Sequence, residues 1–370
     1  MKCTKLTLAA AIMAVGMAAC EKDPDTDPGN MPDDGGGNTE VVTPVKFAKG
    51  ADISWVTQME EDSVLFYDAS GQEKECTQLM KELGFNSIRL RVWVDPEDGW
   101  CNSEDVLEKA SRAYNLGMRL MIDFHYSDTW ADPSNQTPPA AWQAYGVNEM
   151  TEAVSRHTKD VLKSLKDVGI EVEWVQVGNE INSGMLHPLG NINRQSDIPN
   201  FVRFVNAGYD AVKETYPDAK VILHRSNGHE TEGFKWFLDI LKTNGVKYDM
   251  IGMSLYPIWW NNATGGWDSG WKATISACLN NIRNFSSTYG KPVIICEIGV
   301  PVSEPQMSRE AVQMVLDGVK DMEACHGVFY WEPQTDGVWK PASYEALGWR
   351  AYDLGAFKDG KATTILDPFK

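Results

Sequence analysis

EWVQVGNEI, residues 173–181, begins as a buried strand, with Trp174, Val175 and Val177, and ends in Gly178, Asn179 and Glu180. A carboxylate beside an apolar run costs several kcal/mol, on the order of the transfer penalty for a polar group, unless it is paired or used. Its setting therefore decides how the chain is read. Seven more runs of similar composition surround it: FAKGADIS (47–54), SIRLRVWV (87–94), RLMIDFHY (119–126), KVILHRS (220–226), MIGMSLYP (250–257), PVIICEIG (292–299) and GVFYWEP (327–333). Between them lie amphipathic stretches such as ECTQLMKELG (75–84) and SEDVLEKASRAYNLG (103–117), with apolar residues at three- and four-residue spacing and a closing glycine.

Near-continuous apolar strands alternating with helices indicate a parallel sheet covered on its outer face. A count of eight points to a closed (β/α)8 TIM barrel, a single catalytic domain over residues 45–370. An open doubly wound sheet is the alternative, but no GxGxxG or GxxxxGK[ST] turn is present to hold phosphate. Polar residues gather at the C-terminal ends of the runs, the end where such barrels build their sites: Asp52, Arg89, Arg91, His125, Tyr126, Asn179, Glu180, His224, Tyr256, Glu297, Trp331 and Glu332.

Within PVIICEIG, strict alternation turns Glu297 one way and Cys296 and Ile298 the other, so Glu297 faces the barrel axis if its neighbours face the helices. Glu180 then ends strand four and Glu297 lies in strand seven, both at one mouth. Two facing carboxyls are the minimal apparatus of a glycosidase, about 5–5.5 Å apart for retention and about 6.5–9.5 Å for inversion. The nucleophile needs a cation and hydrogen-bond donors, for which Arg89 and Tyr256 are the candidates; the acid is kept protonated by burial and a nearby negative charge. Two glutamates each held by a buried arginine are the blander alternative. Arg91, alternating with Leu90 and Val92, is expected to pair outside the site.

The composition narrows the partners. A net charge of −18 disfavours nucleic acid and anionic membranes and suits a neutral ligand. Fourteen tryptophans are many, and Trp259, Trp260 and Trp267 fall in a Gly- and Asn-rich loop, either as sugar platforms or as loop packing. Six histidines without HxxH or HxxxH spacing argue against a metal site, and hydrolysis by two carboxyls is expected to need no cofactor. Of seven cysteines, five fall in the domain over residues 45–370, Cys76, Cys101, Cys278, Cys296 and Cys325; they show no CxxC pair, and their odd number leaves at least one thiol free.

The first residues read as processing signals. Lys2 and Lys5 precede an apolar run too short to span a membrane, ending in MAAC. This resembles a bacterial lipoprotein site, which implies a signal peptide over 1–19 and a lipid on Cys20. Residues 20–44 then form an acidic Gly- and Pro-rich tether, expected to be disordered, of about 25 Å root-mean-square reach. The acidic residues after Cys20 resemble the export signal of Bacteroidetes surface lipoproteins. The expected location is the outer membrane, facing outward, with contact to lipid only through the anchor.

GADISWV, SIRLRVWVDPEDG, IDFHYSDTWADP, VGNEI, MSLYPIWW, CEIG and GVFYWEP together resemble the family 53 endo-β-1,4-galactanases, retaining glycoside hydrolases of clan A. The likeness runs from about residue 46 to the C-terminus. It implies Glu180 as acid/base and Glu297 as nucleophile, and Asn179 as the group on the sugar 2-hydroxyl. It implies that Arg89 and Tyr256 hold the nucleophile, that His125, His224 and Trp331 line the same subsite, and that Asp52, Asp128 and Trp130 lie toward the glycone side. The implied substrate is β-1,4-galactan of pectic arabinogalactan, cleaved internally by a monomer. Two departures stand out: VPVSEPQMSRE lacks the Asp- and His-rich calcium loop of some bacterial members, and HRSNGHE carries Arg225 and Ser226 where leucine and aspartate are usual. The rivals are another clan A endo-glycanase acting on mannan or glucan, a non-catalytic glycan-binding lipoprotein, and transglycosylation by the same residues.

Overall fold

The computed structural model describes residues 47–370; the proposed signal, Cys20 and the tether lie outside the described residues. Eight parallel strands close into a barrel: β1 (Ala48–Asp52), β2 (Ser87–Val92), β3 (Arg119–Phe124), β4 (Trp174–Val177), β5 (Lys220–Arg225), β6 (Met250–Leu255), β7 (Val293–Ile298) and β8 (Cys325–Trp331). Each pairs with its sequence neighbours, and β8 returns to β1. The connections run through α1 (Cys76–Glu82), α2 (Ser103–Asn115), α3 (Val147–Asp167), α4 (Ile198–Thr215), α5 (Thr231–Thr243), α6 (Trp271–Tyr289) and α7 (Pro305–Val319). After β8 the chain forms a long loop with a short α8 (Ala342–Ala346).

The helices start and stop where side chains satisfy backbone ends. Glu75 accepts the Thr77 and Gln78 amides at the start of α1, and Asn102 accepts those of Glu104 and Asp105 at the start of α2. Gly84 and Gly117, at φ +100° and +71°, end the two segments in a conformation that disfavours side chains. At Gly84 there is also no room for one, since a Cβ would lie 2.4 Å from the Phe369 carbonyl oxygen.

Alternation sorts the strands into two cores. Outward residues such as Leu90, Ile122, Val175, Leu223 and Ile295 pack under the helices. Inside, Ala48, Met121, Trp174, Ile222, Met250, Ile294, Cys296 and Phe329 form a separate buried cluster that fills the barrel's lower half. Trp174 and Phe329 meet there edge to face at 5.9 Å. Gly50 makes that fit possible, because a Cβ there would fall 2.1 Å from the Phe329 ring.

The strand ladder ends earlier than the apolar runs do. Glu180 does not end strand four; it stands three residues beyond Val177, in the turn above β4. His125, Tyr126 and Tyr256 likewise lie just past their strands. Cys296 corrects the expected alternation. The β6–β7 register pairs Met253 with Ile295 and then Ser254 with Glu297, leaving Cys296 as an extra residue. This β-bulge turns both Cys296 and Glu297 inward, a common way to re-aim a side chain at a site. Tyr126 faces the helix layer, with its hydroxyl 2.8 Å from Thr158 Oγ1 on α3. Arg225 does the same, over the Phe234 ring of α5. All five cysteines of the described residues are buried and free.

Gly50→Val is expected to lower stability by about 1–3 kcal/mol through overpacking against Phe329, seen as a lower urea midpoint at unchanged slope. An unchanged midpoint would mean that Phe329 has room to move, contrary to the packing described.

Candidate active site

Above the apolar layer the inward positions become polar: Asp52 on β1, Arg89 on β2, Asp123 on β3, Gln176 on β4, His224 on β5, Ser254 on β6 and Glu297 on β7. Arg89 is at their centre, 1% exposed. Its Nε donates to Gln176 Oε1 at 2.6 Å and its Nη1 to Asp52 Oδ2 at 2.6 Å. Its Nη2 faces Asp123 Oδ2 at 2.9 Å, Asn179 Oδ1 at 3.0 Å and Glu297 Oε1 at 2.9 Å. A buried guanidinium is tolerated only when its charge and its N–H groups are met in this way.

Glu297 has one oxygen on Arg89 and the other on the Tyr256 hydroxyl, which donates to Oε2 at 2.8 Å. Burial pushes its carboxyl above the ordinary value, and the guanidinium and phenol pull it back toward the ionised form. Among the described residues, no cation lies at hydrogen-bond distance from Glu180. Burial first, and then the charge of Glu297, push it up to about 8, against the Ser254 hydroxyl that donates to Oε1 at 2.5 Å. Both carboxyls are raised by burial, but their partners differ: Glu297 touches a cation and a phenol that favour its anion, and Glu180 touches the Ser254 hydroxyl.

The turn that carries Glu180 is tightly held. Gly178 and Glu180 both have positive φ, +90° and +43°, which is uncommon for a glutamate. The Gln136 amide donates to the carbonyls of Asn179 and Glu180 at 3.0 and 3.4 Å, and the Ile181 amide donates to the His224 carbonyl. Asn179 donates from Nδ2 to the Ala131 carbonyl at 2.7 Å while Oδ1 accepts from Arg89. His125 receives the Trp93 indole N–H and the Ala131 amide on Nδ1, so its proton sits on Nε2, toward Asp123 at 3.1 Å. Burial and Asp123 act in opposite directions on that ring, and it is left below the usual histidine value.

Glu180, Glu297, Asn179, His125, Trp130, Tyr256 and Trp331 line one cleft of about 680 Å³. Asp52, Arg89 and His224 stand behind its wall, fully buried, and reach it through the residues they hold. Asp128 lies in a neighbouring groove with Trp93 and Asp95, where its oxygens accept the amides of Asp95 and Ala140. Of the three loop tryptophans, Trp259 reaches the cleft beside Tyr256, while Trp260 and Trp267 face each other at 5.4 Å. Arg91 pairs with Glu332 at 2.9 Å and lies over Trp130 at 4.3 Å, so it supports the wall from behind. A second hollow of about 760 Å³, around Arg119, Glu173 and Tyr216, is lined by neither Glu180 nor Glu297.

The sequence profile of Glycosyl hydrolase family 53 matches residues 48–366. The chain belongs to this family. It is 34% identical over 308 residues to the "Probable arabinogalactan endo-beta-1,4-galactanase A" of Neosartorya fischeri, covering 77% of this chain and 83% of that one. The "Arabinogalactan endo-beta-1,4-galactanase A" of Emericella nidulans is 32% identical, with 77% and 84% covered. Among solved structures, a fungal β-1,4-galactanase superposes with a TM-score of 0.74 at 31% identity, covering 87% of this chain and 98% of the other. The Ignisphaera aggregans GH53 catalytic domain gives 0.73 at 29%, covering 89% and 97%.

Several residues of this family 53 site escaped the sequence reading. Asp123, Gln176 and Ser254 carried a legible signal, a polar side chain at an inward register position within an apolar strand. Tyr344, Trp349, Arg350 and Tyr352 of the β8 loop also line the cleft, and no local pattern in that loop announces it.

A pH titration of Glu180 by carboxyl NMR is expected to give a value near 8. In Glu297→Gln that value should move down, because the charge opposing ionisation is gone. An unchanged value would show that Glu297 does not act on Glu180.

Proposed function

We propose that the protein is a retaining endo-β-1,4-galactanase that cleaves internal bonds of galactan, the side chains of type I arabinogalactan in pectin, by double displacement. The observation that carries this reading is the contrast within one cleft between Glu180, whose carboxyl burial and Glu297 push up to about 8, and Glu297, which is held by Arg89 and Tyr256. Glu297 attacks the anomeric carbon, while Glu180 protonates the departing oxygen and then, as a base, draws the proton from the water that frees the product. The aromatic walls, Trp130, Trp331, Trp259 and Trp349, suit the apolar faces of a neutral sugar chain. Family membership and the names of the relatives at 32–34% identity favour galactan over mannan or glucan.

The reading extends to the N-terminus. We propose that Cys20 carries a lipid and that residues 21–40 hold the barrel off the outer membrane, facing outward. This rests on the apolar run ending in MAAC and the acidic stretch after it. Cys20→Ser should release the protein from the membrane fraction; continued retention would argue for another anchor.

Digestion of linear β-1,4-galactan should yield a ladder of short oligosaccharides whose new reducing ends appear first as the β anomer. Glu180→Ala and Glu297→Ala should each lower the rate by at least about 10²–10⁴-fold. Products from mannan or glucan alone would keep the barrel and discard the substrate. Unchanged rates in both variants would discard the mechanism.

A further inference from the structure

Resting on Glu180 as the acid, we propose that Arg89, Gln176, His224 and Ser254 form one directed hydrogen-bond chain that fixes which oxygen of Glu180 carries the transferable proton. Gln176 and Ser254 are its positioning residues.

The direction starts from a group that cannot lose its protons. Arg89 Nε donates to Gln176 Oε1 at 2.6 Å, and a guanidinium has no acceptor to offer in return. The amide of Gln176 is therefore oriented, with Nε2–H toward His224 Nδ1 at 2.9 Å. That ring nitrogen must accept, so the proton of the neutral imidazole sits on Nε2, which faces Ser254 Oγ at 2.8 Å. The hydroxyl then accepts from His224 and has its own proton free for Glu180 Oε1, at 2.5 Å. Burial and the charge of Arg89 both hold His224 well below the usual value, so the ring stays neutral and the direction is kept.

The competing tautomer is the worse fit, because Asn179 Oδ1 already accepts from Arg89 while Gln176 Nε2 would lose the acceptor it has on His224. With the proton on Nδ1, His224 would donate to Asn179 Oδ1 at 3.0 Å. It would then set one N–H against another, because Gln176 Nε2 lies on the same nitrogen. Rotating the Gln176 amide to relieve this would put its NH2 against Arg89 Nε.

The consequence is at the far end of the chain. Oε1 of Glu180 is always an acceptor, so the proton of the acid form resides on Oε2. After transfer to the leaving oxygen, Oε1 remains bound to Ser254, and Oε2 is the oxygen left free to take a proton from the incoming water. Acid and base steps thus use the same atom. Without the chain the proton distributes over both oxygens.

The direct test is the tautomer of His224, read from imidazole 15N shifts of the wild-type protein. The Nε2–H form is expected; the Nδ1–H form would overturn the proposal even with galactanase activity intact. Absence of activity with the Nε2–H form present would overturn the acid assignment and leave the chain standing as structure.

Variants add a kinetic reading. Ser254→Ala should lower kcat on galactan about tenfold with KM little changed. It should also move the basic limb of the pH profile upward, since the hydroxyl stabilises the ionised Glu180. The charges and dipoles of Glu297, Asp132, Arg89, Arg225 and Tyr256 also act on that carboxyl and remain in place. Ser254→Thr should restore both quantities. Gln176→Met, which keeps volume and loses the donor, should switch His224 to Nδ1–H and give the same defect, not additive with Ser254→Ala. With a dinitrophenyl β-galactobioside, whose leaving group needs no proton, kcat/KM should fall far less. Equal losses on both substrates with an unmoved pH limb would assign Ser254 a structural role only and refute the proposal.

Discussion

The placement of one guanidinium in the middle of a barrel governs the rest of the site. Arg89 is cut off from water, and its charge is met by three carboxyl groups, from Asp52, Asp123 and Glu297, and by the amide oxygens of Gln176 and Asn179. Five other side chains are thereby fixed by one that cannot deprotonate. Removing it would leave buried carboxyls unpaired, the costly way to break such a cluster. The apolar, tightly filled lower half of the barrel lies beneath a polar layer whose central charge is met from within it.

The same cluster explains why two glutamates on opposite sides of one cleft behave differently. Glu297 is inside the reach of Arg89 and Tyr256, and Glu180 is outside it. Excess negative charge around Arg89 does nothing to favour a second anion nearby, and burial disfavours it further. The pair is thus differentiated by position relative to a single cation. The turn at Gly178–Glu180, with positive φ at both residues, is pinned by the Gln136 side chain.

Much of this was legible in the sequence. Eight apolar runs with polar ends indicated the barrel and its active face, because strand composition reflects burial on both sides. A glutamate inside PVIICEIG and another closing EWVQVGNEI stood out because carboxylates are expensive there. Strict alternation predicts the inward orientation of Glu297 that is observed, but it misplaces its neighbour. Cys296 also points inward, since the bulge between Met253 and Ser254 of β6 and the facing residues of β7 depends on pairing that one strand cannot reveal. The aromatic wall from the β8 loop was invisible for a similar reason, because no periodicity ties Tyr344, Trp349 and Tyr352 to a barrel mouth.

The sequence by itself determined the fold class and the two glutamates. Periodicity and the cost of burying charge are local and can be read one segment at a time. The tertiary structure alone decided the ion and hydrogen-bond partners: that Arg89 holds five groups at once, that Asp128 caps loop amides outside the cleft, and that Ser254 faces Glu180 across the barrel. Those outcomes depend on which strands become neighbours and in what register. Barrel closure sets that register by packing all eight strands together, and no single segment carries it.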